Sequence, residues 1–431
     1  MSIKFLNFTY FIFFFFISSS CSLFEGEKEL KIPGKREDIF TVKEKKLVKS
    51  FTKVSLPNPK LIEDWPQISQ NSSNRLFHFM SNDKLKKKWE TKIGKGEGKI
   101  GPYIVSPIVL NELIYTIDNN SKLQARSSIS GKLKWSKELE EESNEKINFI
   151  GGLAAEGDFL LVTSGLGNLY AFKNISGELI WKKNLLTQIS APPLIENNKV
   201  FVTTDDNQLI VLDLFNGDNI WSHSGNLESV SIIGGVSPAI ENEFVFVTYS
   251  SGEIFALNEN NGSVLWYENL SNSSLFSDGL ITDIQSPPVI SGDYLYVVNS
   301  SGQFVSFQAI DGERVWELDI STINPLSISG NYIFLIDTSN KLYCVTKDSG
   351  NIVWVVQLKT NKKEEILWVG PLLTSHKLIV ASSEGTILSL SPYTGETLSL
   401  IKENGSFTIQ PIQAGKYIYF VSKEGKLITF E

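Results

Sequence analysis

Side chains able to do chemistry are sparse in this chain and poorly placed for catalysis. Three histidines, His78, His223 and His376, stand far apart, and none has the H-E-x-x-H or paired-ligand spacing that would hold a metal. His223, just after Trp221, reads as an exposed edge residue rather than a base. No G-x-S-x-G elbow and no phosphate-cradling P-loop occurs. Paired carboxylates can meet in space from any two positions, so spacing alone does not address glycosidase-type chemistry. The two cysteines are Cys21 and Cys344, the latter within a strand-like segment. The reactive group that its surroundings single out is the Cys21 thiol, and the chemistry they suggest is covalent modification. No catalytic, metal-binding or cofactor-binding residue is assigned.

Cys21 closes an export-type segment. Lys4 is the only charge in the first twenty residues, Phe5 to Ile17 form an almost unbroken apolar run, and Ser18 to Ser20 follow. A short basic start, an apolar stretch and small residues make a signal peptide over 1–20. The run falls short of the roughly 20 apolar residues that a membrane span needs. Small residues followed by cysteine resemble a bacterial lipobox, in which the chain is cut before the cysteine and its thiol and new amino terminus are acylated. The position three before Cys21, commonly Leu in a lipobox, is Ser18; the alternative is an ordinary secretory signal with an incidental cysteine. Ser22 after Cys21, where Asp would favour inner-membrane retention, points to the outer membrane with the body in the periplasm. With Cys21 acylated no intramolecular disulfide can form, so the body must rest on its core.

Composition is that of a globular protein. Of 431 residues 42% are apolar and 11% aromatic, and 40 basic against 48 acidic side chains leave a net charge of -8. That balance lacks the basic field that nucleic-acid binding needs, so DNA and RNA are excluded as partners. Residues 21–60 are charged and without periodic pattern, broken by Pro33, Gly34, Pro57 and Pro59, and read as a lipidated N-terminus and flexible tether.

The remainder of the chain is repetitive. Gly131, Gly177, Gly217, Gly262, Gly312, Gly350 and Gly395 stand at equivalent places. Six of them have Trp four residues later, namely Trp135, Trp181, Trp221, Trp266, Trp316 and Trp354, whereas the seventh has Ser399. Six residues before each glycine the side chain is small or β-branched: Ala125, Ala171, Val211, Ala256, Ser306, Cys344 and Ser389. An eighth first half, Gly425-KLITF, ends the chain, and its missing Trp segment stands at the other end as Trp89 in KKKWETKIG. Alternating stretches such as Val200-FVTT and Tyr294-LYVVN, followed by turn pairs such as Ser301-Gly302, read as strands. Units of this length match four-stranded propeller blades. The fold expected over 61–431 is all-β: an eight-bladed β-propeller of four-stranded antiparallel blades, the last closed by the N-terminal strand. Each glycine suits a positive-φ turn, and each Trp is expected to wedge between blades with its N–H on a neighbouring carbonyl, which makes the tryptophans structural.

Ala171-FKNISGELIW and Ala256-LNENNGSVLW resemble the PQQ-type propeller repeat. Together with the lipobox, the tether with Ile32-PGKREDI and the stretch Asp64-WPQISQNSSN, they make the chain similar to the BamB family of outer-membrane assembly lipoproteins. That resemblance implies a non-catalytic scaffold of the β-barrel assembly (Bam) complex without a cofactor. Its partners would be the POTRA domains of the barrel subunit BamA and other Bam subunits, with unfolded outer-membrane proteins as clients. Two segments carry the expected contact. Ser229-VSIIGG aligns with a family S-L-S-L-R-G segment, placing Val230 and Ile232 at the leucines and Ile233 at the arginine, so the charge of that arginine is missing while an apolar docking patch survives. Asp283-IQSPPV aligns with a D-V-D segment, keeping Asp283 and replacing the second acid by Gln285. The alternatives are structural: Val230, Ile232 and Ile233 as inner-strand core, and Asp283 as a turn-capping carboxylate. Two other functions fit a propeller of this repeat, a periplasmic PQQ-dependent dehydrogenase-like quinoprotein and a solute- or cell-wall-binding propeller. The first would bring a vicinal Cys-Cys pair, and the chain has none.

Overall fold

A computed structural model describes residues 53–82, 84–96, 104–139, 150–226, 235–270, 284–359 and 366–431. They contain no helix and form eight four-stranded antiparallel sheets. These are the blades of a β-propeller, at 108–138, 150–184, 194–224, 239–269, 289–319, 327–357, 368–402 and 412–430. Each runs from an inner strand to an outer one; in blade 3 the strands are Leu194–Glu196, Lys199–Thr203, Gln208–Asp213 and Asn219–Ser224. The middle strands are apolar on both sides because both faces of a blade pack against neighbours, so Val200 to Val202 are fully buried. Blade 8 takes its outer strand, Lys87–Lys92, from the other end of the chain; it pairs with Lys426–Phe430, Trp89 opposite Thr429. The ring is closed by hydrogen bonds rather than by a covalent connection.

The repeat has a two-sided cause. Each small residue lies directly across from the Trp of its own blade, as Ala125 does from Trp135 and Ala256 from Trp266, leaving room for the indole. Each Trp then lies on the glycine of the next blade. A Cβ built on Gly131, Gly177, Gly217, Gly262, Gly312, Gly350 or Gly395 would fall 2.5–3.0 Å from the indole of the preceding blade. These glycines also have φ between +67° and +78°, where a side chain is strained. The seven indole N–H groups donate to carbonyls in the following blade at 2.8–3.2 Å, from Trp89 to Ile129 through Trp354 to Pro392. Ser399 obeys the same rule. In blade 8 the third and outer strands come from opposite chain ends, so no turn joins them and no glycine waits for a blade-7 Trp to cover.

One end of the ring is sealed by residues 62–80, which visit the inner strands in ring order. The Gly415 N–H of blade 8 donates to the Ile62 carbonyl, and Trp65 exchanges backbone bonds with Val109 of blade 1. Ala155 of blade 2 donates to Pro66, and Ile195 of blade 3 to the Gln67 side chain. Ile240 of blade 4 donates to Ser72, and Ile290 of blade 5 to Ser73. Leu76 bridges Ser327 of blade 6, and Phe79 exchanges bonds with Leu373 and Ser375 of blade 7. The fully buried Asn74 amide donates towards the carbonyls of Ser237, Pro238 and Pro288. Trp65 stacks on Phe79 at 5.4 Å, both without solvent contact. This plug lies on the face made by the turns between first and second strands and between third and fourth strands, where Asn111 N–H donates to the Asp64 carboxylate. Packing onto the body begins by Val54, buried against Tyr332 and Phe334, seven residues before the expected start at 61.

Candidate functional site

The opposite face carries the connectors between blades, and among the described residues nothing like the plug fills the axis there. A cavity of about 390 Å³ lies on the axis, walled by the connectors and first inner-strand residues of several blades. Its wall includes Val105, Leu153, Pro192, Ile323, Val369 and Ile409, and the plug residue Ile68 reaches it from the sealed end. Among the described lining residues none is ionisable, aromatic or a thiol. The polar groups are amides and hydroxyls, most of them already engaged. Asn324 holds Trp368 O and Gly370 N–H, and Gln410 donates to Pro371 O. Ser190 accepts from Gly235 N–H and donates to Asp205. Burial pushes the Asp205 carboxyl up, with the Ser190 hydrogen bonds partly opposing it. Gln285 also lines the cavity, and its side-chain amide has no partner among the described residues.

Gln285 is thus the one candidate binding residue that the structure places. Cys21, Val230, Ile232, Ile233 and Asp283 lie outside the described residues. In chain order the two candidate segments fall between blades 3 and 4 and between blades 4 and 5, and the described ends of those connectors, 225–226, 235–238, 270 and 284–288, lie on the connector face. Of the histidines, His223 is packed rather than exposed: its ring lies 4.4 Å edge-on to Phe255, with Nδ1 2.9 Å from the Tyr249 hydroxyl. Burial holds its pKa below the ordinary value. Among the described residues no three His, Cys, Asp or Glu side chains gather as a metal site would require.

Residues 121–356 match the family described as outer membrane protein assembly factor BamB. The chain belongs to this family. An assembly factor BamB of Moranella endobia is 21% identical over 246 residues, which take in 56% of this chain and 63% of that protein, less than two thirds of its length. The Shewanella oneidensis assembly factor BamB is 25% identical over 356 residues, 79% of this chain and 87% of that one. The crystal structure of BamB from Moraxella catarrhalis superposes with a TM-score of 0.68 at 18% identity, covering 80% of this chain and 99% of that one. Quinohemoprotein alcohol dehydrogenase from Comamonas testosteroni gives the same TM-score at 12% identity, covering 85% and 80%. At these identities the two superpositions speak for the fold alone.

The dehydrogenase fold raises the question of a quinone on the axis, and the described residues do not fit one. PQQ is a polycarboxylate, and a buried anion needs paired cations or many donors. The cavity presents no Lys, Arg or His among its described lining, and the carboxylate described beside it, Asp205, is engaged by Ser190. Cys344, the one described cysteine, is buried alone in blade 6.

Sequence reasoning missed the plug and the cavity. The lining comes from separate connectors brought together only by ring closure, so no local pattern marks it. The order of Gln67, Ser72, Ser73 and Asn74 along the chain gave no signal, because each residue serves a different blade.

Proposed function

We propose that this chain is a non-catalytic scaffold of the β-barrel assembly machinery of the bacterial outer membrane. It docks onto POTRA domains of BamA through the connectors that flank blade 4, with Val230, Ile232, Ile233, Asp283 and Gln285 in the contact. The observation that carries this reading is the asymmetry of the ring within a BamB-family chain: one end filled by plug residues, the other offering connectors around a cavity with no ionisable side chain among its described lining. Loops on a rigid scaffold are where binding residues concentrate. Other Bam subunits and unfolded barrel strands are further partners in this reading. Residues 1–20 act as the export signal, Cys21 is acylated, and 21–60 tether the propeller at 61–431 to the periplasmic face of the outer membrane. Three acyl chains would give a durable anchor where one would not.

Photo-crosslinkers at Ile232, Asp283 and Gln285 in cells test the docking. Adducts with BamA from these positions support it, and adducts only from plug-face positions overturn it. Mass spectrometry of the mature N-terminus checks acylation at Cys21. The dehydrogenase-like alternative is favoured by the shared fold, and is tested by adding PQQ and calcium to purified protein; quinone absorbance with alcohol oxidation would favour it. A solute-binding propeller, for which the axial cavity speaks, would copurify with a neutral glycan instead of with a barrel protein.

A further inference from the structure

The plug face carries a feature that the fold does not require. In each turn between the third and outer strands, the residue two before the repeat glycine stands at the apex. These residues are Ile129, Ile175, Phe215, Asn260, Ile310, Asp348 and Tyr393. Asn260 and Asp348 make the same turn, with the same glycine conformation, as the apolar ones. The turn therefore imposes no apolar side chain, and polar residues are the usual choice for such positions. Yet five of the seven are large and apolar or aromatic, and they stay in solvent: Ile175 is 74% exposed, Ile310 68%, Phe215 56%, Ile129 47% and Tyr393 39%. Single exposed apolar residues need no explanation, but recurrence at one structural position does. Leu61, just before the plug, and Met80 at its end add two more exposed apolar side chains to this face.

We infer that this crown of turn apices seats the propeller on a lipid bilayer surface, each apex dipping into the headgroup boundary. Two observations choose this occupant. The crown is discontinuous: its members sit on blades 1, 2, 3, 5 and 7, with Asn260 and Asp348 between them. A stable protein interface needs one contiguous area of roughly 1,000 Å² or more with a packed centre, whereas a bilayer surface accepts separate shallow insertions. The chain also enters the described body on this same face, where Pro57 crosses the Gly330 turn of blade 6 and Val54 packs on that blade. The described chain therefore begins on the crown side. The exposed Glu63, Glu112, Asp158, Glu243 and Asp293 share the face, so the surface it fits is zwitterionic rather than anionic.

The inference rests on the membrane-tethered reading above and is tested separately from it. An environment-sensitive fluorescent amino acid replaces Ile175, Ile310 or Leu186, one at a time, in the full chain. Leu186 is the control, because it is equally apolar and almost fully exposed but lies on the open face. Each protein is mixed with phosphatidylcholine–phosphatidylethanolamine vesicles, with and without brominated acyl chains. Flotation of the vesicles reports attachment, and quenching reports depth. The expected result is a blue shift and loss of most of the fluorescence at 175 and 310, with 186 unchanged. Flotation without quenching at 175 and 310 overturns the crown and leaves the anchor standing; neither flotation nor quenching overturns both. Quenching at 186 alone reverses the orientation and also overturns the inference. Absence of quenching at 175 and 310, together with a protein crosslink from those positions in cells, assigns the crown to a protein and contradicts the lipid surface.

Discussion

The two ends of this propeller are built from the same blades and have opposite characters. At the plugged end, polar backbone from every inner strand meets a partner supplied by 62–80, and fully buried side chains fill the axis. At the open end, described residues of the connectors and inner strands line a cavity of about 390 Å³ and present no ionisable side chain to it. The difference teaches that closure and function can be separated along the axis of one ring. The plugged end does structural work, so substitutions there should cost stability; the open end does not, so substitutions there should cost binding.

The largest effect is expected from Trp65→Ala. Trp65 is fully buried, bonded to blade 1 and stacked on Phe79, which is bonded to blade 7, so its removal should cost about 3–5 kcal/mol. Chemical denaturation of the purified protein checks this. If Trp65→Ala were neutral, the plug would be an ornament on a ring that closes without it.

Next come two glycines with almost the same backbone. Gly262 has φ +70° and the Trp221 indole 2.5 Å from where its Cβ would be; Gly292 has φ +65° and nothing within 4 Å. Gly292→Ala should therefore cost only the left-handed strain, about 1 kcal/mol. Gly262→Ala should cost about 2–4 kcal/mol, because the indole must also move. Equal losses would show that the repeat glycine is selected for its φ alone. The complementary change, Ser399→Trp, should not stabilise, since the blade-8 glycine that an indole would cover does not exist.

A smaller, pH-dependent effect is expected at His78 in the plug. Its two ring nitrogens lie 2.9 Å from Pro57 O and 2.5 Å from Ser375 O. Burial lowers its pKa more than the two backbone carbonyls raise it. The unfolded chain therefore takes up the proton first. The contribution to stability is fully present above the unfolded value of about 6.5 and is lost as pH falls through that value towards the lowered folded one. His78→Gln should flatten the fall in melting temperature between pH 7 and pH 5; an unchanged slope would place the titration elsewhere. The smallest effect belongs to the open end, where Gln285→Glu should change stability by no more than about 0.5 kcal/mol.

Much of the fold was legible in the sequence because a propeller repeats its packing. Gly-x-x-x-Trp recurs because every indole meets the same glycine one blade on, and Thr429 with Trp89 betrays the shared blade. The plug was not legible, since Asp64-WPQISQNSSN has no strand or helix period: successive residues bond to successive blades. For the same reason Val54 reads as tether by composition although it is buried. Of the candidate binding residues, Gln285 was singled out by alignment with a family segment, not by any property of its own, and its place at the cavity appears only in the structure. Ser399 was visible as an exception, but its reason appears only when the missing turn of blade 8 is seen.

The separation of the two ends is tested most directly by titrating the full chain with isolated BamA POTRA domains. Three proteins are compared: the unmodified chain, the open-face variant Ile232→Asp/Gln285→Asp and the plug-face variant Ile175→Asp. The expected result is an affinity lowered at least about tenfold, or 1.4 kcal/mol, in the open-face variant, with Ile175→Asp unchanged and melting temperatures alike. Lost binding in Ile175→Asp together with retained binding in the open-face variant would contradict the assignment of the partner to the connector face.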